Sequence, residues 1–433
     1  MTILEEFVVE GVRAVQVLDS RGRPTVKSYV RLKGGALGWG ISPSGASRGE
    51  REAVEVRDGG KRWKGYGVGI AVHNVNKVIA PRIEGLDARR QELIDRLLIE
   101  LDGTPNKSRL GGNATTSVSI AVARAAASQS GLELFKYLGG PDAVGLPIPI
   151  MNIINGGVHA GNELDFQEFI IVPHGFDSFV EALRAGVEIY HYLKEVLKRE
   201  FGPNALNVGD EGGFAPPLKS AFQAFDLIER AVMESGYSID SQVSFGLDAA
   251  SSQFYRDGIY TVEGKSLEPQ ELMDFYEDLA SRYPIVYLED PFHEDDVEMF
   301  RVATSRLGSK MLIVGDDFFT TNPKTIVTRG SKGAGNAVLI KINQVGTLTE
   351  TLNAISTARD LGMAYVVSHR SGDSEDPFIA DLSVATNSVM IKAGAPARSE
   401  RTSKYNRLLE IEEGLGINAR YSGRRLKYLL KSL

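Results

Sequence analysis

Three acids, Asp248, Glu289 and Asp316, each close a short apolar run: Val243–Leu247, Ile285–Leu288 and Leu312–Gly315. A lysine, Lys341, closes the next run, Ala337–Ile340. His369 then closes Tyr365–Ser368, and Lys392 closes Val389–Ile391. Taken alone, each acid reads as a helix N-cap or a surface loop residue. Three of them in successive units, brought to one place, would repel one another unless a cation lay between them. An all-oxygen set with open positions suits a hard divalent cation such as Mg²⁺. Lys341 is either a structural ion pair or a base: neighbouring cations would lower its pKa and carboxylates would raise it. His369-Arg370-Ser371-Gly372 together with Lys392 suits a phosphate or carboxylate ligand. Asp210-Glu211-Gly212-Gly213 offers an acid that could face the base across a substrate. The glycine-rich loop Asn155–Gly161 carries one histidine, His159. Residues alone therefore suggest proton abstraction beside a carboxylate, with a metal and a lysine stabilising the resulting anion.

The elements that must position these groups follow from their spacing. From Asp248 onward the run ends recur every few tens of residues, the length of a strand, a helix and two loops. Helical patterns fill the gaps at 268–279, 348–361 and 377–386. Leu206–Gly209, before Asp210, reads as one more strand. Successive βα units with functional residues at strand ends argue for an α/β architecture with a (β/α)8-type barrel. An open doubly wound sheet would gather its polar groups at one crevice instead. The chain before the barrel differs in rhythm. Apolar alternation on either side of Asp19-Ser20-Arg21-Gly22-Arg23-Pro24 predicts a hairpin. A glycine- and serine-rich stretch runs from Gly34 to Gly49, and Thr115–Ala127 predicts a buried, alanine-rich helix. The expected division is an α+β domain over 1–140 and a catalytic barrel over 141–433.

Composition narrows the chemistry. The 433 residues are 42% hydrophobic and 24% charged, which excludes a disordered or fibrous chain. The formal charge of −7 gives no general pull toward nucleic acid or anionic membrane. There is no cysteine, so disulfides, thiolate catalysis and cysteine-based zinc or iron–sulfur sites are out. The six histidines include no pair at the i, i+4 spacing of a zinc helix. No basic leader or bilayer-length apolar run is visible, so a cytoplasmic protein is expected. Nucleotide fingerprints are absent: there is no G-x-x-x-x-G-K-[ST] motif, and Gly65–Gly69 lacks the G-x-G-x-x-G spacing.

The order of several short motifs resembles the enolase family nearly end to end. They include Asp19-Ser20-Arg21-Gly22, Ser44-Gly45-Ala46-Ser47, Asn155-Gly156-Gly157, Gln167-Glu168-Phe169, Gly209-Asp210-Glu211-Gly212-Gly213, Glu289-Asp290-Pro291 and Gly315-Asp316-Asp317. Leu339-Ile340-Lys341, Ser368-His369-Arg370-Ser371-Gly372 and Tyr405-Asn406 complete the set. The resemblance implies a lyase of glycolysis and gluconeogenesis that reversibly dehydrates 2-phosphoglycerate to phosphoenolpyruvate. A lysine or histidine base acting with one or two Mg²⁺ ions is a known feature of that superfamily. By position, Lys341 matches the base for the C2 proton and Glu211 the acid for the C3 hydroxyl, with Glu168 as its neighbour. Asp248, Glu289 and Asp316 match the ligands of a first Mg²⁺, and Ser47 a ligand of a second that arrives with substrate. Arg370 and Ser371 match the phosphate clamp and Lys392 the partner of the substrate carboxylate. His159, Gln167 and His369 match the remaining substrate contacts. The resemblance also implies a homodimer or larger homo-oligomer. Two positions depart from the family pattern: Arg48 stands where threonine is usual, and Val15 where arginine is frequent.

Overall fold

The computed structural model describes residues 3–45, 51–157 and 160–432. Ser47, Arg48 and His159 lie outside the described residues. The first domain begins with an antiparallel meander of β1 (Val9–Leu18), β2 (Pro24–Leu32) and β3 (Leu37–Ile41). The expected hairpin is β1–β2, with Leu18 opposite Pro24. Its turn is closed by Asp19, whose Oδ1 accepts the backbone N–H of Arg21 at 2.9 Å and of Arg23 at 2.8 Å.

β3 lies inside the glycine-rich stretch, where no strand was expected from the sequence. Its glycines are there for contact. A Cβ on Gly38 would lie 2.1 Å from the carbonyl oxygen of Ala121, and one on Gly40 2.5 Å from that of Ser117. Both oxygens belong to the helix Gly112–Gln129, so the strand and helix backbones touch directly. That helix is buried along almost its whole length. It serves two cores: Val118, Ala121 and Val122 pack into the first domain, while Ile120, Ala123 and Ala127 pack toward the barrel. A helix covered on all sides needs small apolar residues rather than one apolar stripe, which accounts for its alanines. Asn113, near the start of this helix, is buried too, with its amide spent on both backbone groups of Val56.

The barrel is closed by eight strands: β4 (Ile148–Asn155), β5 (Glu168–Pro173), β6 (Val243–Asp248), β7 (Ile285–Glu289), β8 (Leu312–Gly315), β9 (Ala337–Ile340), β10 (Ala364–Ser368) and β11 (Met390–Lys392). The open-sheet alternative is thereby excluded. β5 runs antiparallel to both β4 and β6, whereas all other neighbours are parallel. The barrel thus opens with a hairpin, and the helices Phe179–Phe201 and Ala221–Glu234 follow it before β6.

This corrects the expected strand at Leu206–Gly209. Pro203–Leu206 is a 3₁₀ turn, and Val208 only bridges Phe214 across a tight loop closed by Gly209 N–H to the Gly213 carbonyl at 2.8 Å. A four-residue apolar run cannot distinguish a strand from a loop packed on the core. The reversal of β5 has a positional consequence. Its first residue, Glu168, stands level with Asn155 at the end of β4 and Asp248 at the end of β6. Inside the barrel, Ile150, Ile170, Leu312, Val314, Leu339 and Val366 form an apolar plug beneath the mouth.

Candidate active site

The deepest part of the mouth is organised around a lysine. Lys392, at the end of β11, is buried, and its Nζ lies 2.8 Å from Asp248 Oδ2 and 2.9 and 2.8 Å from the two Glu289 oxygens. Glu168 Oε2 follows at 3.2 Å. Burial would pull the ammonium down, but Asp248, Glu168 and Glu289 hold it well above the ordinary lysine value. Glu289 also accepts the Tyr287 hydroxyl. Burial and then Asp248 push its carboxyl up to about 8.

A second lysine stands at the end of β9. Lys341 Nζ pairs with Asp316 Oδ2, and the other Asp316 oxygen accepts Gln344 Nε2 at 2.8 Å. Burial lowers Lys341, yet Asp316 brings it above its usual value. Burial conversely raises Asp316, and Lys341 and Arg370 bring it below the ordinary carboxylate range. Next to this pair, Asp290 has left-handed backbone, φ 39°. Its two oxygens accept the N–H groups of Asp316 and Asp317, both at 2.9 Å. Asp290 thereby fixes the turn that presents Asp316.

The acid side lies opposite in the chain's order. Glu211, from the loop between the two helices, is buried. Its Oε2 accepts Asn152 Nδ2 at 3.3 Å and lies 3.5 Å from His369 Nε2. Glu168 is held well above the ordinary value, first by burial and then by Glu211 beside it. Burial pushes His369 down to about 4 despite Glu211, so its ring is neutral at pH 7. Gln167 donates to Asp248 Oδ2 at 3.2 Å and accepts Gln253 Nε2 at 2.9 Å.

The rim joins the two domains. Arg370 Nη1 and Nη2 lie 2.9 and 3.1 Å from the two oxygens of Glu52, in the first domain, and Nη1 also donates to Asn343 Oδ1 at 3.1 Å. Ser44 and Gly372 exchange two backbone hydrogen bonds of 2.7 and 2.8 Å. The residues on both sides of 46–50 therefore rest on the loop that carries Arg370 and Ser371.

Of the residues singled out from the sequence, Gln167, Glu168, Glu211, Asp248, Asp316, Lys341, His369, Arg370, Ser371 and Lys392 line one cavity. Glu289 sits beneath it, against Lys392. The cavity measures about 30 Å³, a volume suited to water molecules. Among the described residues, the carboxylates whose oxygens all lie within 4.8 Å of one another are Asp290, Asp316 and Asp317. Asp248 and Glu289 instead share Lys392, while Asp316 pairs with Lys341. The donor chemistry of Asp248, Glu289 and Asp316, all oxygens on three adjacent strands, fits a hard divalent cation.

Sequence reasoning missed Glu52, Asn152, Asp290, Asn343, Gln344 and Arg401. Asn343 and Gln344 had a signal, since two adjacent amides follow the Lys341 strand end after one intervening residue, Ile342. Arg401 had none: the first turns of the helix Ser399–Leu415 are mostly polar, yet Glu400, Arg401 and Lys404 are buried there.

Two family models match the chain: "Enolase, N-terminal domain" over residues 9–138 and "Enolase, C-terminal TIM barrel domain" over residues 143–429. The chain belongs to the enolase family. It is 62% identical to an enolase of Aeropyrum pernix over 424 residues, which is 98% of this chain and 98% of that protein. It is 56% identical to an enolase of Methanopyrus kandleri over 418 residues, covering 96% and 98% of the two chains. For an enolase of Pyrococcus furiosus the identity is 53% over 423 residues, covering 97% and 98%. As a member of the enolase family, the chain is an enzyme of the lyase class. No helix among the described residues is long and apolar enough to cross a membrane.

Proposed function

We propose that the chain catalyses the reversible, Mg²⁺-dependent dehydration of 2-phosphoglycerate to phosphoenolpyruvate, with residues 1–140 capping a catalytic barrel at 141–433. The observation that carries this reading is one cavity lined by a buried lysine, a buried acid pair and an arginine–serine clamp. Lys341 is the base for the C2 proton. Its ammonium is held at close range by Asp316 and from further off by Glu289, while burial and Arg370 both favour the neutral amine. Asp248, Glu289 and Asp316 would hold Mg²⁺, which would supply positive charge to the substrate carboxylate and acidify the C2 proton. Glu211 is the acid for the departing C3 hydroxyl. Two carboxyl groups buried together cannot both ionise cheaply, and burial and Glu211 hold Glu168 well above the ordinary carboxylate range, which favours a proton on the pair. Arg370 and Ser371 take the phosphate. The cavity must widen to admit a phosphorylated acid, and Arg370 must then share its guanidinium between Glu52 and the phosphate. Lys392 holds the substrate carboxylate, with Gln167 and His159 as further contacts, and Ser47 is a ligand of a second Mg²⁺. The family pattern also supports a homodimer, checked by light scattering.

The test follows the ultraviolet absorbance of the enol phosphate with Mg²⁺ and then with excess chelator. It also follows exchange of the C2 proton with deuterated water. Mg²⁺-dependent turnover is expected, abolished by chelator. Glu211→Gln should retain exchange while losing dehydration, because the leaving-group acid acts after the proton is gone. Equal loss of both activities would remove Glu211 from the acid role.

A further inference from the structure

We propose that Arg401 is the positioning residue of the acid arm, fixing His369 as the tautomer whose Nε2–H faces Glu211 and tying together the loops that carry Glu211 and Arg370. The proposal rests on the reading of Glu211 as the leaving-group acid.

Arg401 lies in the first turn of the helix Ser399–Leu415 and is entirely buried. Its Nη1 lies 2.7 Å from His369 Nδ1 and 2.6 Å from the Arg370 carbonyl oxygen. Its Nη2 lies 2.6 Å from the Ser371 carbonyl oxygen and 3.1 Å from that of Asp210. Glu400 Oε1, 3.6 Å from Nε, supplies a counter-charge. A guanidinium has donors only and stays charged. A ring nitrogen within hydrogen-bond distance of it must accept, so Nδ1 of His369 carries no proton. The ring's one proton is then on Nε2, which faces Glu211 Oε2. Asn152 Nδ2 donates to the same oxygen at 3.3 Å, so the ring and the amide converge on Oε2.

The packing is built for this arrangement. Gly394 has φ +84°, and a Cβ there would lie 2.9 Å from Arg401 Cδ, 2.9 Å from the Glu211 carbonyl oxygen and 3.0 Å from His369 Cε1. Only glycine lets the arginine stem, the acid's backbone and the histidine ring meet. Tyr405, one turn further along the helix, donates to the Gly394 carbonyl and holds that strand end in place. A lysine would keep the charge but lose the planar fork that reaches the ring and carbonyls of two loops at once.

The experiment is nitrogen-15 NMR of histidine-labelled protein at pH 7, with His369→Gln to assign the signal. A neutral ring protonated on Nε2 is expected. A ring protonated on Nδ1, or charged, would overturn the proposal, and this holds even if no Arg401 variant folds. Arg401→Lys, with its fold checked by circular dichroism, then separates positioning from scaffolding. Dehydration should fall about 10–100-fold further than C2 exchange, the scale of losing an orienting partner. An equal fall in both activities, or a change in KM alone, would show a purely structural role and overturn it. If Glu211→Gln instead loses exchange and dehydration together, the acid assignment fails while the tautomer result stands on its own.

Discussion

Lys341 and Lys392 end neighbouring parts of the same barrel mouth, both with their charged groups largely out of water, yet their surroundings differ in one respect. Lys392 has three carboxylates within 3.2 Å, and Lys341 has one. Before any metal binds, three partners hold Lys392 as a cation, and Glu168 is the one of them not assigned to the metal. One close partner makes Lys341 conditional: when Asp316 is engaged elsewhere, burial and Arg370 are opposed by Glu289 from beyond ion-pair distance. The number of carboxylates around a buried lysine, rather than its burial, separates a fixture from a base.

The comparison breaks most directly in activity. Lys341→Ala should lower both C2 exchange and dehydration by about 10²–10⁴-fold, the usual worth of a general base, in steady-state and exchange assays. If Lys341→Ala kept C2 exchange, the base would lie elsewhere and the contrast between the two lysines would lose its meaning.

Stability should respond in the opposite order. Lys392→Met strands Asp248, Glu289 and Glu168 without their cation and should cost about 3–5 kcal/mol by urea denaturation. Added Mg²⁺ should recover part of that loss, since a cation bound by the native carboxylates shifts the folding equilibrium. A smaller cost for Lys392→Met than for Lys341→Ala would reverse the assignment.

The third basic nitrogen of the site, on His369, extends the contrast. Burial depresses it to about 4 from an ordinary 6.5, so the unfolded chain takes its proton first as pH falls. Its contribution is complete above pH 6.5 and is lost progressively toward pH 4, by roughly 3 kcal/mol. The difference in denaturation midpoint between wild type and His369→Gln should therefore change across that window and be flat above it.

The smallest effect sharpens the Lys341 side. Gln344→Met leaves Asp316 without its second partner and should weaken Mg²⁺ binding about tenfold, read by calorimetry. The lysine pair itself should survive.

Much of this site could be read along the chain. Asp248, Glu289, Asp316, Lys341, His369 and Lys392 were all recognisable as strand ends, because a parallel βα unit puts the last residue of every strand at the same rim. The barrel class followed from the same repeat. Glu168 could not be found that way, since β5 runs backwards and presents its first residue. Glu211 stood out only as an acid in a turn, and the strand expected before it is a loop. β3 was hidden by its glycines, which mark a backbone contact some 80 residues away in the chain.

The sequence by itself determined which chemical groups exist, their order and the repeat that lifts most of them to one end of a barrel, because strand and helix periods are local properties of the chain. Only the tertiary structure decided the pairings. Three carboxylates went to Lys392 and one to Lys341. Glu52 of the first domain went to Arg370, and a buried arginine from a polar helix went to His369. Such choices depend on distances between segments 25 to 318 residues apart and on the removal of water around them, and neither is encoded in any local spacing.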